Sequence, residues 1–342
     1  MGFAAVLLYG IRFHRDAGEL TETVILQGLN RFRFLFAIEV VLGHAYLFLD
    51  NAVLFLPLNQ FLFITNGFFF FVSGFGLSHG YHTEASYLKG FLRRRFLYLF
   101  LVSLVLFLSC SLISKAGNWT AYPLTLKGYF ENTNWFIFEI MVFYLLFYIF
   151  YHLKDTKKAS IFIAVITLLF VNIAYWGGLD ERWYICALSF PFGILYREFF
   201  IEFEKVLRRK TAVIIFTVMA FILIICLAVQ SEIITLIQWN DFIRNMLFRY
   251  LLSFCVIIIF IRVQTHIYLE NRISKAINKL SLEIYLLQFP YFYFLSFSLP
   301  SGEYYNLLYL SCMFGLLFVS APIMKFVDNR LHKLCLITQK TN

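Results

Sequence analysis

Residues 61–80 read FLFITNGFFFFVSGFGLSHG, with no Asp, Glu, Lys or Arg among them. About 20 apolar residues is the length of helix that crosses roughly 30 Å of hydrocarbon. A spanning strand is about half as long and alternates in polarity, so this stretch predicts a transmembrane helix. Working outward, similar stretches occur at 32–50, 96–114, 135–152, 159–176, 183–200, 212–230, 244–262, 280–298 and 305–325. The rest of the 342-residue chain agrees, being 61% hydrophobic and only 14% charged, where a soluble domain carries about 25% charge. So few charges cannot coat a soluble surface. The expected fold class is all-α: a polytopic membrane helix bundle of about ten transmembrane helices, with no internal repeat and no soluble domain. Residues 1–30 read as a cytoplasmic lead-in, 31–326 as the transmembrane domain and 327–342 as a cytoplasmic tail.

The basic residues set the expected orientation. Of 29 Lys and Arg, 24 fall in the N-terminal segment, alternate loops and the C-terminal segment. Those groups include Arg12, Arg15, Lys89, Lys154, Lys157, Lys158, Arg208, Arg272, Lys275 and Lys340. The opposite loops hold only Lys115, Lys127, Arg182 and Arg244. Loops rich in Lys and Arg stay on the cytoplasmic side, so both termini are expected there. The net charge of +9 follows from this pattern and does not call for a nucleic-acid partner. Met1 to Ile11 lacks the basic start and cleavage site of a secretory signal. Asn118-Trp119-Thr120 matches a glycosylation acceptor, a weak pattern alone. Cys110, Cys186, Cys226, Cys255, Cys312 and Cys335 show no spacing of a disulfide framework or metal site, so no metal is expected.

Polar residues inside apolar spans are costly and mark function. Arg33 opens the first span, and His44 lies eleven residues on, about 16 Å deeper by helical rise. Eleven residues is nearly three turns, so Arg33, Ala37, Val40 and His44 share a face. Ser73, Gly74, Gly76 and Ser78 suit close helix packing, and His79 and His82 read as solvated at the span's end. Arg93, Arg94 and Arg95 read either as a topological anchor or as a clamp for an anionic donor, since guanidinium matches phosphate in a bidentate fork. Trp135 suits the membrane interface. Glu139, one turn further in, needs a partner, and His44 or Arg249 is in range. Glu39 and Glu283 read as neutralising nearby Arg residues.

Five segments together resemble the acyltransferase 3 family of bacterial integral-membrane O-acyltransferases. They are Arg33-x10-His44, the stretch Gly67 to Phe75 containing Ser73, Phe91-Leu92-Arg93-Arg94-Arg95, Asn134-Trp135 with Glu139 and Tyr144, and Ser281-x-x-Ile284-Tyr285-Leu286. The resemblance runs from about residue 28 to 325. It implies acyl-CoA, commonly acetyl-CoA, as a cytoplasmic donor substrate, with no bound cofactor. It also implies a surface polysaccharide or lipid-linked glycan as acceptor, membrane lipid as surroundings, and the bacterial inner membrane as location. It makes His44 the essential histidine and Arg33 its basic companion. Two places depart from the family pattern. Tyr98 stands where a second Arg is common, and Gln288 where a His is common. Gln288 cannot take a proton at neutral pH, so it is expected to position only.

Acyl transfer from a thioester needs a base, oxyanion stabilisation and exclusion of water. The expected roles are therefore His44 as base and Glu139 as its orienting carboxylate. Arg33, Ser73, Arg93, Arg94, Arg95, Trp135, Tyr285 and Gln288 are expected to bind substrate. An acyl-histidine relay through His44 is the variant. The rival classes are a secondary transporter or flippase, which predicts paired half-repeats and broken helices, a glycan polymerase or ligase, and a scaffold.

Overall fold

The computed structural model describes residues 9, 11–13, 20–116, 122–132, 135–207, 209–228, 246–269, 271–299, 302 and 304–337. Asn118-Trp119-Thr120, Asn134, Arg15, Arg208, Arg244 and Lys340 lie outside the described residues, as do the ends of the predicted spans at 229–230 and 244–245.

Among the described residues the chain is almost entirely helical. The helices are α1 Glu22–Ala45, α2 Leu56–Gln60, α3 Leu62–Thr83, α4 Tyr98–Ala116, α5 Leu126–Asn132, α6 Trp135–Phe150 and α7 Thr156–Trp176. They continue as α8 Ser189–Glu198, α9 Phe200–Leu207, α10 Lys210–Ala228, α11 Phe248–Val263, α12 Arg272–Lys279, α13 Ser281–Ser298 and α14 Tyr305–Ile337. A π-helical turn, Arg93–Leu97, leads into α4. Two short strands, β1 Arg12–Phe13 and β2 Ile267–Tyr268, pair antiparallel, Arg12 opposite Tyr268.

Each apolar stretch read from the sequence contains a helix. Four helical segments are long and apolar enough to cross a membrane: Val53–Thr83, Arg93–Lys115, Thr156–Trp176 and Tyr305–Lys333. Val53–Thr83 is mostly buried, but the apolar side chains of the other three are widely exposed, among them Ile173, Leu307 and Val319. Apolar surface on that scale calls for lipid rather than water.

Three boundaries differ from the sequence reading. Helix α1 starts at Glu22, inside the expected lead-in, because Ile25 and Leu29 are fully buried and the Thr21 hydroxyl accepts from the Val24 N–H at 3.3 Å. It then ends at Ala45, where the predicted span runs on to residue 50, so His44 sits in the last turn of the helix. Helix α14 runs on to Ile337, past the expected start of the tail, because Asp328 turns inward and is buried.

The chain divides into two compact units, each built from separated segments. The first comprises Met1–Phe36, Phe63–Ser86 and Ile149–Lys275. In it α7 packs on α8, α8 on α11, and α10 on α11. Two glycines let α3 and α8 touch backbone to backbone. A Cβ on Gly74 would collide with the Phe190 carbonyl oxygen, and one on Gly193 with that of Phe71. Further along the same seam, the buried Glu198 accepts from Ser78 at 2.5 Å, Tyr151 at 2.9 Å and Thr156 at 2.7 Å. Asp155 caps α7 by accepting from the Lys158 N–H at 3.0 Å, and that bond holds its carboxyl below the usual range.

The second unit comprises Ala37–Leu62, Tyr87–Tyr148 and Ala276–Asn342. Here α13 packs along α14, and α4 packs on both. Phe107, Cys110, Tyr122 and Tyr129 form a buried cluster beside α4, where the Tyr129 and Ser103 hydroxyls are 2.9 Å apart.

Candidate active site

His44 belongs to the second unit, and the end of α1 fixes its place. The Asn59 amide donates to the Gly43 carbonyl at 3.0 Å, answering one of the acceptors that a helix terminus leaves open. The imidazole is 9% exposed. Its ring lies 4.7 Å from that of Phe289, centroid to centroid. Gln288 is its side-chain neighbour, yet the Nδ1 atom of His44 and both amide atoms of Gln288 are buried and fall outside hydrogen-bond geometry with any group. Gln288 and Phe289 lie just before Pro290 within α13, where proline has no N–H to return to the Leu286 carbonyl. One turn earlier, Tyr285 packs on Phe136 at 5.0 Å, and Phe136 meets the Trp135 ring edge-on at 6.0 Å.

Glu139 follows on α6 and is 4% exposed. Neither of its carboxylate oxygens has a hydrogen-bond partner, so the orienting bond to His44 anticipated from the sequence is not formed. Arg249, the other anticipated partner, is engaged in the first unit: it donates to Glu181 at 2.8 Å and lies over the Phe63 ring. Leaving a buried polar group unanswered costs about 1–3 kcal/mol, and more for a charged one. His44, Gln288 and Glu139, all of the second unit, each keep such a group.

The three arginines are held by the π-helical turn, a feature frequent at functional sites. Gly90 leads into it with φ 69°, a conformation that suits glycine. Arg94 donates to the Tyr87 carbonyl at 2.7 Å, and Arg95 lies beside the Tyr87 side chain, with Tyr98 and Tyr144 nearby. Tyr98, at the place where a second arginine is common, bonds Asp328 instead. Lys325 donates to Asp328 at 3.2 Å and to Glu283 at 2.8 Å, so Glu283 neutralises a lysine and not an arginine.

Arg33 and Ser73 fall in the first unit. Arg33 lies 6.0 Å over the Phe69 ring and 3.5 Å from the Asn30 side-chain oxygen. Ser73 is half-buried on α3. The two histidines read as solvated are bonded: His79 to Glu22 at 3.3 Å and His82 to Glu198 at 2.9 Å. The sequence reading also missed a polar group about Gly67. A Cβ there would stand 2.9 Å from the Ser189 hydroxyl and 3.6 Å from that of Ser253, and both hydroxyls are buried without a partner. Gly67 is visible in the sequence, but the two serines come from α8 and α11 and show no local pattern. Among the described residues, no three of His, Cys, Asp and Glu gather to hold a metal ion.

A buried imidazole flanked by an amide, with a separate buried carboxyl and an arginine-bearing turn, suits proton removal and transfer from an anionic donor. The family comparison agrees: a model described as an acyltransferase domain matches residues 26–333. The chain belongs to the acyltransferase 3 family. The match reaches into both units of this acyltransferase and takes in all ten site residues read from its sequence. No curated protein and no solved structure matches the acyltransferase chain.

Proposed function

We propose that this acyltransferase is a bacterial inner-membrane O-acyltransferase. It takes an acyl group, acetyl above all, from cytoplasmic acyl-CoA and places it on a hydroxyl of a cell-surface polysaccharide or lipid-linked glycan. The observation that carries the reading is His44, whose buried Nδ1 atom has no partner, beside the equally unanswered amide of Gln288.

His44 removes the proton from the acceptor hydroxyl. The oxygen attacks the thioester carbonyl, the carbon–sulfur bond breaks, and the CoA thiolate takes the proton back from the imidazolium. Gln288 holds the ring in register. Glu139 and Tyr285 line the acceptor side with Trp135, and Arg93, Arg94 and Arg95 hold the phosphates of the donor. For Arg33 and Ser73 the substrate-binding role rests on the family motifs alone. The ten apolar stretches give about ten spans, and the distribution of Lys and Arg puts both termini in the cytoplasm.

The test is His44→Ala in membranes, scored by transfer of labelled acetyl from acetyl-CoA to envelope glycan. A general base contributes about 10²–10⁴-fold, and the loss should be of that order. Full activity in correctly inserted H44A protein would end the proposal.

A further inference from the structure

On the first unit, α7, α8 and α11 leave a groove lined by none of the ten site residues. It encloses about 310 Å³, and every side chain lining it is apolar. One wall is Ile161, Ala164, Val165 and Leu168 of α7. The other is Leu188, just before α8, with Pro191, Phe192 and Leu195. Both sets follow the spacing i, i+3, i+4, i+7, one helix face over two turns. The groove therefore runs along the helices for about 10 Å. Phe254 of α11 completes the lining, its ring 4.4 Å from that of Phe192. Thr156 donates to Glu198 at 2.7 Å, so the start of α7 is level with the end of α8, and Ile161 is level with Leu195.

Charge gathers beyond that end. Lys154, Lys157 and Lys158 lie within seven residues of Ile161. Lys157 pairs with Glu202 at 3.1 Å and Lys158 with Asp155 at 3.3 Å, but the two lysine side chains are 51% and 73% exposed. Surface pairs of this kind contribute little and yield to a better-placed anion. Arg197 and His82, at the same end, are engaged by Glu22 and Glu198.

We propose that this groove binds one acyl chain of an anionic glycerophospholipid, with its phosphate against Lys157 and Lys158. Helix α7 is long and apolar enough to span a membrane, so a groove along it lies parallel to lipid chains. Lipid tails are as apolar as leucine. The selectivity therefore comes from dispersion contacts that fill the groove and from the charge at one end. In the orientation proposed above, that end is cytoplasmic. A lipid-linked glycan with its sugar outside would place its phosphate at the opposite end, so the occupant is a phospholipid of the inner leaflet.

The full chain, purified in detergent and stripped of lipid, is titrated with phosphatidylglycerol or phosphatidylcholine and read by native mass spectrometry. One phosphatidylglycerol should bind about tenfold or more tightly than phosphatidylcholine. Ala164→Trp, which fills the groove, should weaken phosphatidylglycerol binding about tenfold. Ile215→Trp, on the exposed face of α10, should leave it unchanged. The double variant Lys157→Gln/Lys158→Gln should bring the two lipids to equal affinity. It decides the matter alone if A164W does not fold. The site is overturned if A164W binds like the unaltered chain, if the two lipids bind alike without mutation, or if a polyprenyl phosphate displaces phosphatidylglycerol from the groove.

Discussion

At the scale of the residue, the informative side chains are those whose polar atoms stay unanswered. Glu139 is the clearest case, because its carboxylate is buried and makes no hydrogen bond. Glu139→Gln keeps the shape and removes the acid. If the carboxyl serves chemistry, turnover in E139Q falls tenfold or more while thermal stability holds or rises, since a site tuned for activity gives up stability. Unfolding temperature and acetyl transfer, measured on the same preparation, check this. A variant that loses stability and keeps activity would show Glu139 to be structural. Gln288 and His44 teach the complementary point. Each is legible in the sequence as a polar residue within an apolar span, but their adjacency arises only when α13 packs beside the end of α1.

At the scale of the element, the seam between α3 and α8 rests on the absence of side chains. Gly74→Ala and Gly193→Ala each press a methyl group onto a carbonyl oxygen. Overpacking of this kind costs about 1–3 kcal/mol. Gly315→Ala, where nothing lies within 4 Å, should instead be neutral or stabilising, since alanine is favoured over glycine in a helix by about 1 kcal/mol. Thermal unfolding of the three variants in detergent checks the contrast, and equal melting points for G74A and G315A would refute the close crossing. The small residues of α3 are legible as packing residues from their composition alone. Their partner helix is not, since α8 is a ten-residue segment with no matching motif.

For the whole molecule, the prediction concerns topology. Reporter fusions or cysteine labelling should find both termini and the Lys154–Lys158 loop in the cytoplasm, and Arg182 outside. A terminus on the outer face would break the count of ten spans. The two compact units have no counterpart in the sequence, because each is assembled from three separated segments.

The amino-acid pattern by itself settled that the chain is helical, apolar enough for lipid and a member of its family. Those properties depend on local composition, on the length of apolar runs and on residue order. Tertiary structure alone decided that His44 ends a helix beside Gln288, and that Glu139 and Arg249 do not pair. It also decided that Glu198 gathers four partners and that two helix stripes face each other across a groove. Each of these is a matter of which faces meet, and a helix read alone does not reveal what its neighbour presents.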